Sequence, residues 1–406
     1  MKIAVYAICK NEEANIPRWL NAVKDADGIY VLDTGSTDNS VALLQEAGVH
    51  VTHMSADKPF RFDAARNAAM DSIPQDVDYC LSLDFDELIM DGWREQIENL
   101  TLDAANYTLI FSYNEKTGDI TCSYPRLAIH KRRGFYWKYP AHEVLTCVNE
   151  CEIGNVNVGV VHLPARPKPA GHYLELLRTG FNENPNDSRS VMYFARELMY
   201  CQQFQLSFEM YKRHISIETH AQFRSESFRQ MAAMAYHLNK LEEAEAYYFR
   251  AISEFFDARE PFCELATLYF QTGQYESCIG ILRSALRIET KPEVPMIFSD
   301  EYYGYWPYHM LSASYSKIGL NQLSQENLLI AAKMCEGRNL PDSLLNDLIR
   351  VGLYVHSTSE SATNAQTSEK RIPESVGPGE RNVSENVSEI QPSVSNESGE
   401  SGQASD

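Results

Sequence analysis

The sequence predicts an α/β domain on a mostly parallel sheet, then an all-α domain of paired helices, then an acidic tail without a fold of its own. Three observations predict it. Residues 1–168 alternate short apolar runs with helix-length segments, the pattern that sandwiches parallel strands between helical layers. From 172 to 355 the strand signals vanish and helical pairs recur. From 357 to 406 the chain is Ser, Asn, Glu, Gly and Pro, with no aromatic residue after Tyr354. That composition buries too little apolar surface to fold, so a disordered tail is expected.

The elements follow in order. Strands are expected at residues 3–8, 28–32, 49–52 and 79–83. Helices are expected at 15–23, where Pro17 is tolerable in the first turn, at 40–47, closed by Gly48, and at 63–72. After Asp91 come shorter β segments at 107–113 and 120–123, a basic and aromatic loop at 131–139, and a strand pattern at 158–163. In such sheets ligands bind outside the carboxyl ends of the strands. Lys10-Asn11-Glu12, Asp33 and Asp84 all fall at such ends.

In the second region, short turns at Phe204, Leu241, Tyr275 and Asn321 each follow a run of small and aromatic residues. Leu241 and Tyr275 lie 34 positions apart, the tetratricopeptide period. The last interval is lengthened by a Pro- and Tyr-rich insertion at 291–306. Ala beside Tyr and Phe at helical spacing suits stacked helix pairs.

The 406 residues carry a formal net charge of -20 and a pI near 5.0. A general nucleic-acid binder needs a basic face and is excluded. No apolar run approaches the roughly 18 residues that span a membrane. The apolar N-terminus ends in Lys10-Asn11-Glu12-Glu13 without a small-residue cleavage site, so it reads as a strand and not a signal peptide. The nine cysteines are odd in number and form no CxxC pair. Neither a zinc site nor a disulfide framework is expected, and a reducing cytoplasm fits. Asn382-Val383-Ser384 and similar triplets are then accidental matches to a glycosylation pattern.

Leu83-Asp84-Phe85-Asp86-Glu87 closes an apolar run. Along a strand Asp84 and Asp86 project to one side. Two carboxylates there suit a hard divalent cation that bridges to phosphates; a solvated acidic turn is the plainer reading. Asp33-Thr34-Gly35-Ser36-Thr37-Asp38 marks a strand–turn–helix junction, where Asp33 can accept from a nucleobase or ribose. Neither GxGxxG nor GxxxxGKS occurs. Lys131, Arg132 and Arg133 beside Phe135, Tyr136, Trp137 and Tyr139 are expected to form a mobile flap over the site, with nucleic-acid contact or a solvated loop as the other readings.

Cys9-Lys10-Asn11-Glu12-Glu13, the Asp33 to Asp38 segment, Phe62-Asp63-Ala64-Ala65-Arg66-Asn67 and Leu83 to Glu87 stand in one order. With Pro125-Arg126-Leu127, the Tyr136 to Glu143 segment and Val160-Val161-His162, they resemble the family 2 glycosyltransferases. That family has the GT-A fold, and the branch with appended tetratricopeptide repeats is the nearest likeness, over about residues 1–340. The resemblance implies metal-dependent, inverting transfer of a hexose or N-acetylhexosamine from a nucleotide sugar, expected to be UDP-linked, with Mn²⁺ or Mg²⁺. It places Asn11, Glu12, Asp33, Arg66, Asn67 and Asp84 around the nucleotide. It gives Asp84, Asp86 and His162 to the metal and Glu143 to the catalytic base; Asp91 and Glu87 are the residues to test next if Glu143 is not the base. Phe85 stands where the family more often has a small residue. The acceptor could be a protein, peptide, nucleic-acid base or glycan, and the repeats suit a protein partner or self-association. A repeat adaptor with a vestigial sugar-nucleotide domain is the rival function. A nucleotidyltransferase is weaker, because the glycine-rich phosphate loop is missing.

Overall fold

The computed structural model describes residues 1–54, 60–113, 120–163, 169–294, 296, 298–335 and 340–353, with the backbone alone for 112, 113 and 120–122. The expected tail, 357–406, lies outside the described residues.

The chain begins with strand β1 (Ile3–Cys9), helix α1 (Ile16–Ala22), β2 (Gly28–Asp33), α2 (Ser40–Glu46), β3 (His50–His53), α3 (Phe62–Asp71) and β4 (Tyr79–Ser82). It continues through β5 (Glu87–Ile89), α4 (Trp93–Glu98), β6 (Ala104–Tyr113), β7 (Ile120–Lys131), β8 (Phe135–Lys138), β9 (Val144–Cys147) and β10 (Ile153–His162). One sheet has the order β3-β2-β1-β4-β7-β6-β10-β5, and β8-β9 form a separate ribbon. The first four strands are parallel, as expected. Beyond β4 the sheet is mixed: β7 runs antiparallel to β4 and to β6, and β5 antiparallel to β10. β1 is buried almost throughout because helices cover both faces, so its sequence is apolar at consecutive positions instead of alternating.

The expected flap at 131–139 is corrected. Its middle is the strand β8, and Phe135 and Trp137 are core residues. Its cations are committed elsewhere: Arg132 donates to the Ile73 carbonyl, Arg133 to Gln75 and Lys131 to Asp103. The expectation of no disulfide is also corrected, since Cys147 and Cys151 are bonded across the turn after β9, with Cα atoms 6.4 Å apart.

A buried chain of donors ties the ribbon to the sheet. Trp137 Nε1 donates to the Tyr6 hydroxyl (2.7 Å), which bonds His130 Nε2 (3.0 Å), and His130 Nδ1 donates to the Lys131 carbonyl (2.8 Å). Every partner is satisfied when His130 is neutral. Burial lowers its pKa from 6.5 to about 4. Below pH 6.5 the unfolded chain therefore binds a proton that the folded chain refuses, and stability falls as the pH drops toward 4. The full loss is about 3 kcal/mol. Urea midpoints measured from pH 7.5 to 4 check this. A His130→Asn variant should show the shallower pH slope, and equal slopes would remove His130 as the cause.

The all-α part comprises α5 (Leu174–Glu183), α6 (Ser188–Tyr200), α7 (Phe204–Ile217), α8 (Ala221–His237), α9 (Leu241–Glu254), α10 (Glu260–Gln271) and α11 (Tyr275–Ala285). It ends with α12 (Asp300–Tyr303), α13 (Trp306–Lys317), α14 (Asn321–Lys333) and α15 (Asp342–Arg350). The four turn markers open α7, α9, α11 and α14, so each is the second helix of a pair. Small residues let the pairs close: Ala232, Ala235, Ala244 and Ala266 lie fully buried among Tyr248, Tyr269 and Tyr315. The last strand ends at His162 and the first of these helices begins at Leu174, yet residues 1–355 form one compact unit.

Candidate active site

Parallel pairing aligns Cys9 with Asp33, so the loops after β1 and β2 emerge side by side. The sequence stitches them together. The Asn11 amide donates to Ser36 Oγ (3.0 Å), Asn11 Oδ1 accepts from the Thr37 amide (2.7 Å), and the Glu12 amide donates to Ser40 Oγ (2.7 Å). Asn11 takes a φ of 58°, in the left-handed region that Asn tolerates better than most residues. Gly35, at φ 103°, turns the chain where a Cβ would be strained. Asp33 accepts from the Gly35 and Ser36 amides (3.1 Å each). Burial pushes its carboxyl up, but these donors outweigh that and hold it below the usual range.

The chain leaves β4 into Leu83-Asp84-Phe85-Asp86, a turn and not the strand end expected. Phe85 packs inward on Trp19, with ring centroids 4.5 Å apart. Burying such a ring contributes about 1.5–3 kcal/mol, which fixes the two aspartates on the outer side of the turn.

Arg66, from α3 and only 4% exposed, joins the acidic groups. Its Nη1 and Nη2 donate to Asp84 Oδ1 (2.8 Å) and Oδ2 (2.9 Å), and its Nε donates to Glu143 Oε1 (2.6 Å). The Trp137 ring lies 5.0 Å from the guanidinium carbon. Arg126 of β7 adds a longer contact to Asp84 (3.4 Å) and pairs closely with Glu87. Burial pushes the Asp84 carboxyl up, but the two guanidinium groups outweigh it and hold it well below the carboxylate range. Burial raises the Glu12 carboxyl, against the Asn15 amide that donates to it (2.7 Å), and the charges of Asp86 and Asp84 raise it further.

His162, at the end of β10, brings Nε2 to 3.3 Å from Asp86 Oδ2, while its buried Nδ1 has no hydrogen-bond partner. Asp86 is the more open of the two aspartates, at 35% against 25%.

The structure therefore assembles Asn11, Glu12, Asp33, Arg66, Asp84, Asp86, Glu143 and His162 at one edge. Asn67 is placed otherwise: its amide bonds the Trp137 backbone twice (2.9 and 2.7 Å), so it anchors β8. Glu87 is 2% exposed and locked to Arg126, which disqualifies it as a reserve base. Arg126 itself received no role from the sequence. Its signal in the sequence was its place in the Pro125-Arg126-Leu127 motif.

A parallel β3-β2-β1-β4 half-sheet, a mixed second half and an acidic turn at the carboxyl ends define the GT-A class of α/β fold, here followed by tetratricopeptide-like repeats. Residues 4–148 match the model of glycosyl transferase family 2, so the N-terminal domain belongs to that family. A TPR repeat-containing protein of Synechococcus elongatus is 32% identical over 146 residues, covering 36% of this chain and 35% of the relative. An uncharacterized glycosyltransferase of Rickettsia felis is 33% identical over 98 residues, 24% of this chain and 33% of that protein. The chain thus spans about a third of the length of these curated relatives. Among solved structures, MamA covers 41% of this chain and 87% of its own, at 13% identity and a TM-score of 0.34. That likeness is too slight to add to the helix pairs described above. No described helix is long and apolar enough to cross a membrane.

Proposed function

We propose that this chain is an inverting glycosyltransferase that takes a hexose or N-acetylhexosamine from a UDP-sugar. One observation carries the reading: a single buried guanidinium holds Asp84 of the acidic turn and Glu143 together. That brings a donor-side carboxylate and the base candidate Glu143 to one edge of the sheet, on either side of Arg66.

Among the described residues no three His, Cys, Asp or Glu side chains converge closely enough to hold a divalent ion by themselves. Asp84 is engaged by Arg66 at both oxygens, so it does not fit as a ligand in this arrangement. Asp86 and His162 do fit, as neighbouring oxygen and nitrogen ligands. Mg²⁺ or Mn²⁺ commonly takes one or two protein ligands and completes its shell with phosphate oxygens and water. When bound, such an ion neutralises charge developing on the departing diphosphate.

The chain's own residues do the rest. Asp33 and the Asn11–Glu12 loop line the nucleotide side. Arg66 and Arg126 hold Asp84 rigid. Glu143 takes the proton from the acceptor nucleophile, whose oxygen attacks the anomeric carbon as the bond to the diphosphate oxygen breaks and its electron pair leaves with UDP. This is one in-line displacement, so the configuration inverts.

The test is UDP release from a panel of nucleotide sugars with Mn²⁺. UDP binding should strengthen with Mn²⁺, and Asp86→Asn and His162→Ala should each weaken that metal-dependent binding by about 10- to 100-fold. Full metal-dependent binding in both variants would remove the pair as the cation site. A parent protein that neither binds UDP nor turns over any donor would leave the adaptor reading in its place.

A further inference from the structure

The helical repeats meet the site at the segment from Tyr139 to Glu143. Tyr139 and His142 have φ values of 85° and 53°. Side chains larger than glycine are strained in such conformations and persist only where the surroundings over-determine them. Here the surroundings are α3 at one point and α5 and α6 at several.

The Phe62 amide donates to the Pro140 carbonyl (3.0 Å). Pro140 lies over Gly180 of α5, where an added Cβ would meet its Cδ at 3.2 Å. Ala141 is buried with Leu177, Phe194 and Leu198. The Tyr139 hydroxyl donates to Asp187 (3.0 Å), the residue that caps α6 by accepting from the Ser190 amide (2.8 Å). Arg189 donates from Nη2 to the His142 carbonyl (3.1 Å), and its guanidinium lies 4.6 Å from the Tyr193 ring centre. His142 stacks on that same ring, with centroids 4.4 Å apart. The peptide gripped by Arg189 is the one that joins His142 to Glu143.

We propose that the first helical pair, α5–α6, is the positioning element for Glu143, and that Arg189 acts through the His142 carbonyl. The pair is then part of the catalytic unit, so a division of the chain near residue 168 separates the base from its support. This inference rests on Glu143 being the base of the proposed transfer. Arg189 is a positioning residue, because it touches Glu143's peptide and not the reacting atoms.

The experiment uses the full chain with Arg189→Ala, Arg189→Lys and the milder Asp187→Asn, which keeps the helix cap. Two quantities are read: amide exchange at residues 141–145, and UDP release from UDP-glucose and UDP-N-acetylglucosamine with Mn²⁺. Arg189→Ala should raise exchange there and lower kcat, each by about tenfold or more, at unchanged donor KM. A misplaced reacting group carries a cost of that kind. Arg189→Lys should restore most of both, since a lysine can still donate to the carbonyl. Asp187→Asn should move both in the same direction by less, and it decides the matter if Arg189→Ala does not fold. Unchanged exchange overturns the proposal, as does raised exchange with unchanged kcat, or a kcat loss matched by a rise in donor KM. A parent protein that releases no UDP overturns the glycosyltransferase reading instead, and the exchange data alone then decide whether α5–α6 hold the loop.

Discussion

Glu143→Gln is expected to lower the proposed sugar transfer by a hundredfold or more while leaving the fold and UDP binding intact. The size is that of a lost general base, on the order of 10² to 10⁴ in rate. The intactness follows from the contacts. Gln keeps an oxygen that accepts from Arg66 Nε, and Arg66 retains its two bonds to Asp84. No buried charge is left alone, so stability changes little. Single-turnover rates with saturating donor, beside calorimetric UDP binding, separate the two effects. Transfer at the parent rate would move the base elsewhere. Glu87 cannot take over from behind Arg126, which leaves Asp91 as the next residue to replace.

Arg66→Met reverses that pattern and damages the fold itself. The methionine fills similar space but leaves Asp84 and Glu143 facing each other without the cation between them. Of the two, Arg126 contacts only Asp84, at 3.4 Å, and its closer partner is Glu87. Removing one partner from a buried ionic group costs on the order of 3–5 kcal/mol, because the remaining charge stays desolvated. Urea denaturation at pH 7 reads this directly. At low pH the penalty shrinks. Asp84 is held below its unfolded pKa in the parent protein, so the stability it contributes is present above that unfolded value and is lost as the pH falls. A variant within about 1 kcal/mol of the parent at pH 7 would show that Asp84 and Glu143 do not depend on this guanidinium.

The contrast between the two variants also shows what could be read in the chain. Asp84, Asp86, Asp33 and Asn11 were legible because each follows an apolar run, and parallel sheets gather such positions at one edge. Asp84's bond to Arg66 was not legible. The residues are 18 apart in sequence, on different elements, and only the packing of α3 under β8 points the guanidinium at both carboxylates. The basic and aromatic segment at 131–139 misled for the same reason. Its composition reads as a solvent-facing flap, but a two-stranded ribbon turns Phe135 and Trp137 inward and Tyr136 outward. Period-2 alternation over four residues is too short to be recognised beforehand.

By itself the sequence determined the α/β half-sheet, the helical pairs and the turns within them, and the acidic edge. These depend on local periodicity and on turn chemistry, which neighbouring residues encode. The tertiary structure alone decided which acid lies beside His162 and which is tied to arginine, that Asn67 serves the ribbon, and that Arg189 reaches the His142 carbonyl. Those outcomes depend on distances between elements far apart in the chain, and side-chain reach across such gaps is set by packing and not by sequence spacing.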